Sequence, residues 1–433
     1  MTSAIKLHRQ LGVWGAAMMG LGSILGTGVF VSLAIVADVT GPSVILACAI
    51  AAVLAACNAM STVQLSVSHP VSGGAYEYAS RYLNARVGFV AGWLFLLAKV
   101  ASAATAALGF ATYFRAGFSE ATTMPSVTTI ALITVLSMTA IAAFGLKQAN
   151  MVNIVMVFIT IGSLGLFVFT GFQESHAPIM TSLTPFFSGT ITEFLYGVAL
   201  AFVAYAGYGR IATLGEEVRY PKETIPKAIG LTVVISAVLY ITVSLVAISL
   251  TGGEFHEVLS QNPTVAPLIH VAQVAQLPFS HSILVVGAMT AMLGVLLNLI
   301  LGLSRTILAM GRRGDMPVSL TRLNANRTTP YRAVVFVGIL ILAITSVGDL
   351  KLAWTFSALN VLIYYSITNL AALKIKGSDR FISRWISRVG FMGCLFLSLW
   401  IDSDMWLLCG ALLGMGFVFR WLLMTPSRVQ KTK

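Results

Sequence analysis

Two short stretches place glycine where it weakens a helix. Residues 20–30 read GLGSILGTGVF and residues 204–209 read AYAGYG, each inside an apolar run. An interior glycine costs a helix about 1 kcal/mol relative to alanine. Unwinding a helix inside a bilayer also strips N–H and C=O groups of their partners, which is tolerated only where protein or a water-filled cavity replaces them. A half-helix starting near Gly26–Gly28 would aim free N–H groups and a positive dipole end at the gap, a setting that binds a carboxylate. Carbonyls ending the preceding half-helices would hold an ammonium group, so the two poles together suit a zwitterionic amino acid. Paired interruptions in corresponding places of two halves point to a transporter binding site. A second reading stands beside it: Gly22-x-x-x-Gly26 also fits close packing between membrane helices.

Ionisable residues within apolar runs are the next candidates. A charge at the bilayer centre costs about 2.5–3.5 kcal/mol on insertion scales, so it should face a cavity or a partner. Lys99 lies in GWLFLLAKVASAATA, and Arg210 follows the second glycine cluster. Lys99 would cycle a proton, contact a substrate carboxylate, or pair structurally with a nearby carbonyl or acid. Arg210 is expected to pair with Glu216 or Glu217, or to meet an acidic group on a substrate. These two acids precede RYPKETIP, where Pro221 and Pro226 are expected to stop the helix. They would form an inner gate with a basic neighbour such as Arg9 or Arg81, or else a solvated loop face. Gly73 and Gly74 read as a turn that lets the chain approach closely between helices.

Other chemistries find little support. No H-E-x-x-H occurs, and His8, His69, His176, His256, His270 and His281 fall at span ends or in loops. Cys48, Cys57, Cys394 and Cys409 lie in apolar runs without C-x-x-C spacing, so they read as small hydrophobes, with neither a metal site nor a disulfide framework. A membrane-embedded enzyme would need paired intramembrane acids or a His and Asp motif. A channel would need a selectivity-filter repeat. No cofactor is expected.

The elements that must carry these residues follow from composition. The chain has 433 residues, 57% hydrophobic and only 10% charged, against about 25% charged in soluble domains. Apolar runs long enough to span hydrocarbon recur throughout and do not alternate as barrel strands do. Twelve spans are expected, at about 11–37, 42–65, 86–114, 126–146, 150–171, 191–213, 228–250, 281–310, 331–348, 352–374, 386–401 and 404–423. The start MTSAIKLHRQ precedes a run too long for a cleaved signal, so the first span is expected to direct insertion. With the N-terminus cytoplasmic, all of the 27 Lys and Arg residues except Lys99, Arg115, Arg210 and Lys351 lie on the cytoplasmic side or at its span ends. That asymmetry is the positive-inside rule. It places both termini in the cytoplasm and makes a nucleic-acid partner an unneeded explanation for the net charge of +12. The outer connection around 251–280, with Glu254 and Glu257, is expected to hold a short helix in TVAPLIHVAQVAQLP.

Five ordered motifs resemble the amino acid–polyamine–organocation (APC) transporters. GSILGTGVF (22–30) looks like the first-helix signature, PVSGGAYEY (70–78) the element after span two, and GFVAGW (88–93) the start of span three. GEEVRYPKETIPKAI (215–229) is similar to the segment after span six, and SRTILAMGRRGDMP (304–317) to the end of span eight. The resemblance implies an all-α, LeuT-like fold of two inverted five-helix repeats, about 11–171 and 191–374, plus two C-terminal helices at about 386–423. It implies one membrane domain working by alternating access. By position it would set Gly26, Thr27 and Gly28 on the substrate carboxylate, and the carbonyls of Ile24, Val203 and Ala206 at the α-amino group. Tyr205 and Tyr208 would line or gate the side-chain pocket, or simply pack. Ser357, Asn360, Tyr364 and Ser366 in span ten could complete that pocket or its gate. Many coupled members carry a lysine in span five where Thr160 stands here, so Lys99 would have to supply that charge. Thr160 would help ligate sodium or merely pack. An acid common after the span-six aromatic is replaced by Gly209 and Arg210.

The expectation is a secondary active transporter of amino acids with neutral side chains in the plasma membrane. It would be coupled to H+ or Na+ or run by exchange, with the amino acid and the lipid bilayer as its partners. A polyamine or organic cation antiporter and a non-transporting nutrient receptor on the same fold are the alternatives.

Overall fold

A computed structural model describes residue 9 and residues 11–118, 124–144, 146–174, 182–187, 189–251, 267–277, 280–324 and 329–424. The described residues form helices joined by short turns, as a bilayer demands of chains that must satisfy their own backbone. In order they are α1 (Val13–Gly22), α2 (residues 25–40), α3 (Val44–Ser68), α4 (Ala75–Tyr82), α5 (Ala85–Gly117), α6 (Val127–Phe144) and α7 (Leu146–Glu174). There follow α8 (Ile191–Tyr205), α9 (Gly209–Thr213), α10 (Pro221–Thr251), α11 (Pro267–Val274) and α12 (Ser280–Arg312). The last are α13 (Tyr331–Thr345), α14 (Leu350–Leu373), α15 (Arg384–Ser398) and α16 (Ser403–Met424).

Nine helical stretches among the described residues are long and apolar enough to cross a bilayer. One of them, Leu25–Ser68, turns at Gly41, whose φ of 56° suits glycine. Val13–Gly22 and Tyr331–Thr345 are shorter apolar helices. Expected spans one and six come in pieces, and Leu25–Ser68 runs from the latter part of span one through span two. Local signals set the ends. The Asn84 side chain accepts from Val87 N at 2.9 Å, and that of Asp349 from Leu352 N at 2.8 Å. Thr190 and Glu193 form a capping box at the start of α8.

The prolines behave differently from expectation. Pro221 opens α10 and Pro226 lies inside it, so neither stops the helix. A first-turn proline gives up only an N–H that has no intrahelical acceptor, and its fixed φ already suits a helix. The short helix expected in the outer connection is α11. Residues 252–266, with Glu254, His256 and Glu257, lie outside the described residues, as do His8 and His176.

Burial sorts the helices into interior and rim. In α5 and α14, 78% of the most apolar window is buried, against 11% in α16. Helix α5 packs on α12, α14 and α4, and α12 also packs on α7. Large apolar side chains such as Val53, Ile133, Phe169 and Leu407 are exposed on the rim helices, as a lipid-facing surface requires. The breaks therefore sit among interior helices, walled from lipid.

Candidate functional site: two broken helices and a cation-lined cavity

Helix α1 stops at Gly22. Ser23 and Ile24 make a turn, with Ser23 N donating to Gly20 O and Ile24 N to Leu21 O, both at 3.0 Å. The Ser23 hydroxyl donates back to Met19 O at 2.8 Å. Helical geometry resumes at Leu25, passes through a wide π-helical turn at Gly28–Ser32, and ends at Thr40. The break thus lies at Ser23–Ile24, ahead of the expected Gly26–Gly28. The N–H groups heading the second half-helix belong to Leu25, Gly26 and Thr27, and a helix's first turn offers them no carbonyl. Gly28 N is already spent on Ile24 O at 3.2 Å.

The glycines turn out to serve close approach as well. A Cβ on Gly26 would stand 2.5 Å from the Ala291 carbonyl oxygen of α12. On Gly28 it would strike the Tyr240 hydroxyl, and on Gly22 the side chains of Asn153 and Asn298. On Gly207 it would lie 2.6 Å from the Ser23 carbonyl oxygen. The two readings of the glycine clusters therefore hold together: the helices are interrupted, and the interruptions touch.

Helix α8 ends at Tyr205, a 3-10 turn covers Ala206–Tyr208, and α9 follows. Tyrosine hydroxyls from neighbouring helices satisfy the freed carbonyls. Tyr240 of α10 shares its proton between Ile24 O at 2.8 Å and Ala204 O at 3.1 Å. Tyr365 of α14 donates to Ala206 O at 3.2 Å. The Val203 carbonyl accepts from Ala206 N. Of the three carbonyls expected to face an ammonium group, that of Ile24 accepts from Gly28 N and Tyr240, that of Val203 from Ala206 N, and that of Ala206 from Tyr365. Tyr205 packs at a tilt against Tyr240 with ring centroids 4.8 Å apart, and Tyr208 against Tyr365 at 5.4 Å; both are fully buried. They pack between helices and do not border the cavity at the break.

That cavity is about 10 Å³, the size of one water. Ser23, Ala206 and Gly207 bound it on one side; Phe95 and Lys99 of α5, Arg210 of α9 and Leu299, Gly302 and Leu303 of α12 bound the other. Lys99 is 5% exposed, and no described residue pairs with it. Arg210 donates from Nη1 to the Thr213 hydroxyl at 3.0 Å, while its Nε and Nη2 find no acceptor. The pairing of Arg210 with Glu216 or Glu217 is not what forms. Glu217 is held by Arg305, with Nε at 2.9 Å and Nη2 at 3.2 Å, and Glu216 by Arg312 at 2.8 Å. Neither acid pairs with Arg9 or Arg81. The end of α12 supplies both arginines, because it packs beside the segment after α9.

Thr160 donates to Met156 O of its own helix at 2.8 Å and touches Gly287 O at 3.4 Å. It borders a cleft with Gly22, Gly26 and Ala291 that is too tight for a water. Beside it, Asn298 of α12 donates to Asn153 of α7, and Asn153 Nδ2 donates to Met18 O at 2.8 Å. This buried amide pair ties the end of α1 to two helices.

The end of the bundle near Leu11 is closed by a layer of polar contacts. Leu11 forms a parallel bridge with Val218, and Ser72 an antiparallel one with Leu214. Arg313 grips Glu77 with Nε at 2.9 Å and Nη2 at 2.7 Å, and Tyr76 donates to Asp315 at 2.8 Å, which also meets Arg420. Burial pushes the Glu77 carboxyl up, but His69 and Arg313 outweigh it and hold it below its ordinary 4.5. Gly73 and Gly74, at φ of 118° and 52°, make the expected tight turn. The sequence reading missed Arg305, Arg313, Glu77, Asn153, Asn298, Tyr240 and Tyr365 as members of this region. Charged or amide side chains inside or at the end of apolar runs were the available signal.

A multi-pass helical membrane protein with two interrupted interior helices facing each other has the build of a transporter. The sequence matches the amino acid permease family over residues 15–427, and the chain belongs to that family. It is 34% identical to an uncharacterized transporter of Mycobacterium tuberculosis over 95% of this chain and 90% of the relative. It is 25% identical to the branched-chain amino acid permease BcaP of Bacillus subtilis, covering 94% and 92%. A methylthioribose transporter of the same organism is 28% identical, covering 86% and 82%.

Proposed function

We propose that this chain carries amino acids with neutral side chains across the plasma membrane by alternating access, as a secondary active transporter. One observation carries the reading: the turn at Ser23–Ile24 and the turn at Ala206–Tyr208 meet at Gly207 and border a common cavity. The chain crosses the membrane twelve times with both termini cytoplasmic, as two inverted five-helix repeats (11–171 and 191–374) and two further helices (386–423), in one membrane domain. The amino acid's carboxylate is received by the N–H groups of Gly26 and Thr27, together with Leu25. Its ammonium group meets the Val203 and Ala206 carbonyls. Ile24 and Gly28 shape the turn, and Tyr205 and Tyr208 move with the gate.

The cavity now holds one water's volume, so cargo enters only when the helices part. Lys99 and Arg210 at its edge repel a cationic side chain, which supports neutral cargo although some relatives are named cationic amino acid transporters, such as one from Arabidopsis thaliana at 24% identity. The name of the branched-chain permease points the same way. Lys99 is the coupling residue for a proton gradient. A sodium role for Thr160 has weaker support, because its hydroxyl proton is engaged and its cleft is tight. Glu216 and Glu217 gate the inner side with Arg312 and Arg305. Uptake of labelled leucine and arginine into proteoliposomes, with and without proton or sodium gradients, tests all of this. Leucine uptake that a proton gradient accelerates is the expected result; binding without translocation would make the protein a receptor.

A further inference from the structure

The rim of the bundle carries a groove far larger than the cavity at the breaks. Ile50, Val53 and Leu54 of α3, Leu195 of α8 and Val389 and Phe396 of α15 line about 420 Å³ of space, within the range of about 300–1,000 Å³ typical of ligand pockets. Every side chain bordering it is apolar. Ile50, Val53, Val389 and Phe396 are exposed, so the groove opens outward. Gly393 lies at its floor, where α15 nears α3: a Cβ there would meet Leu54 Cδ1 at 2.6 Å.

One end of the groove meets a cluster of positive charge. Trp385, Val389, Gly393 and Phe396 recur at the spacing that puts residues on one stripe of α15, and Trp385 heads it, 69% exposed. The Arg388 guanidinium lies over the Trp385 ring, 5.3 Å from its centroid, and Arg384 stands about one turn before it. Arg380, in the link between α14 and α15, donates from Nη1 to the Ala372 carbonyl at 2.8 Å, while its Nε and Nη2 have no acceptor. Burial first, and then the charges of Arg384 and Arg388, hold the Arg380 guanidinium below its ordinary range, so the three share one field. Among the described residues, none of them forms an ion pair with an acid. Gln64 fixes the link to α3 by accepting from Phe381 N and Ile382 N, each at 2.9 Å.

We propose that the groove holds one acyl chain of an anionic phospholipid whose phosphate is gripped by Arg380, Arg384 and Arg388. Arginine forks match phosphate oxygens. Tryptophan settles at the headgroup level of a bilayer, and basic clusters beside membrane helices take anionic headgroups. The lengths agree as well. Trp385 to Leu397 covers about 18 Å of helix, close to the ~15 Å of hydrocarbon in one leaflet. A neutral lipid would leave the arginines unmatched, and a second copy of this chain would have to bring acids to them. The site rests on the chain's place in a bilayer and not on its cargo.

Delipidated protein in dodecyl maltoside is titrated with phosphatidylglycerol, with phosphatidylcholine of the same chains, or with inorganic phosphate at matched ionic strength. The readouts are Tm and the lipid retained per chain by native mass spectrometry. Phosphatidylglycerol is expected to raise the wild-type Tm by about 2 °C or more beyond phosphatidylcholine, with about one molecule retained per chain and no such rise with inorganic phosphate. The double variant Arg384→Gln, Arg388→Gln should remove at least about half of that difference. So should Val53→Trp, which fills the groove. Equal shifts with the two lipids in wild type overturn the proposal, as does an equal rise with inorganic phosphate. A preference that survives either variant also overturns it, since the arginines or the groove would then be idle. A dimer that Val53→Trp dissociates, with no lipid preference, puts a second copy in the groove instead. Should a variant fail to fold, the wild-type lipid preference and retention decide alone.

Discussion

Gly207 and Ser23 set how closely the two interrupted helices approach. Gly207→Val places a Cβ 2.6 Å from a backbone oxygen, an overpacking worth about 1–3 kcal/mol. The variant is expected to show a lower Tm and little uptake. Gly162→Ala, where nothing lies within 4 Å, should leave both measurements unchanged. Full transport by the Gly207 variant would count against the site. For Glu217 and Arg305, whose side chains are 2% and 0% exposed, removing either partner leaves a buried charge and costs about 3–5 kcal/mol. A double-mutant cycle should find the Ala/Ala pair less damaged than the sum of the singles. The Glu77 carboxyl sits below 4.5 in the fold. Its contribution is therefore complete above that value and fades as pH falls through the lowered one. Thermal scans from pH 6 down to about pH 3 should show a steeper loss in wild type than in Glu77→Gln. At this scale the glycines and Lys99 were legible, because each breaks a local rule of membrane helices. The partner of Glu217 was not, since Arg305 is 88 residues away in sequence and only the packing of α12 beside α9 brings the two together.

Helix α10 acts as a clamp on the broken pair, since one tyrosine on it reaches a carbonyl of each. Tyr240→Phe removes the shared proton from Ile24 O and Ala204 O and should cost about 1–3 kcal/mol. Backbone amide exchange should rise around residues 23–28 and 204–208 and stay unchanged in α16. Equal exchange in variant and wild type would mean that the turns hold themselves. The helices were readable at this scale because apolar runs near twenty residues long leave no other way to satisfy the backbone. Their fine divisions were less so. The expected break fell on the glycines at 26–28, whereas the chain turns at Ser23, whose hydroxyl caps the end of α1. The glycines are kept small by Ala291 and Tyr240, a constraint that lives on other helices. Pro221 begins α10 where a helix end is expected, two roles a lone proline does not distinguish in sequence.

Across the whole bundle, the layer near Leu11 joins the start of the chain, the turn before α4, the segment after α9 and the end of α12. Three ion pairs, Glu216–Arg312, Glu217–Arg305 and Glu77–Arg313, hold the end of α12 in this layer, so on the gating reading proposed above they would part together. Glu216→Gln removes one of these links at a partly exposed position. It is expected to increase the alkylation rate of a cysteine placed by Ser72→Cys, where Ser72 N now meets the Glu216 carboxylate at 3.3 Å. An unchanged rate would show that the layer does not gate access. The charges of Lys99 and Arg210, neither paired with an acid among the described residues, have one more consequence. Membrane voltage does about 2.3 kcal/mol of work on each elementary charge moved through 100 mV. Lys99 and Arg210 lie within that field, so any rocking that displaces them carries current, and the turnover of even an electrically neutral cargo should follow the cell's membrane potential.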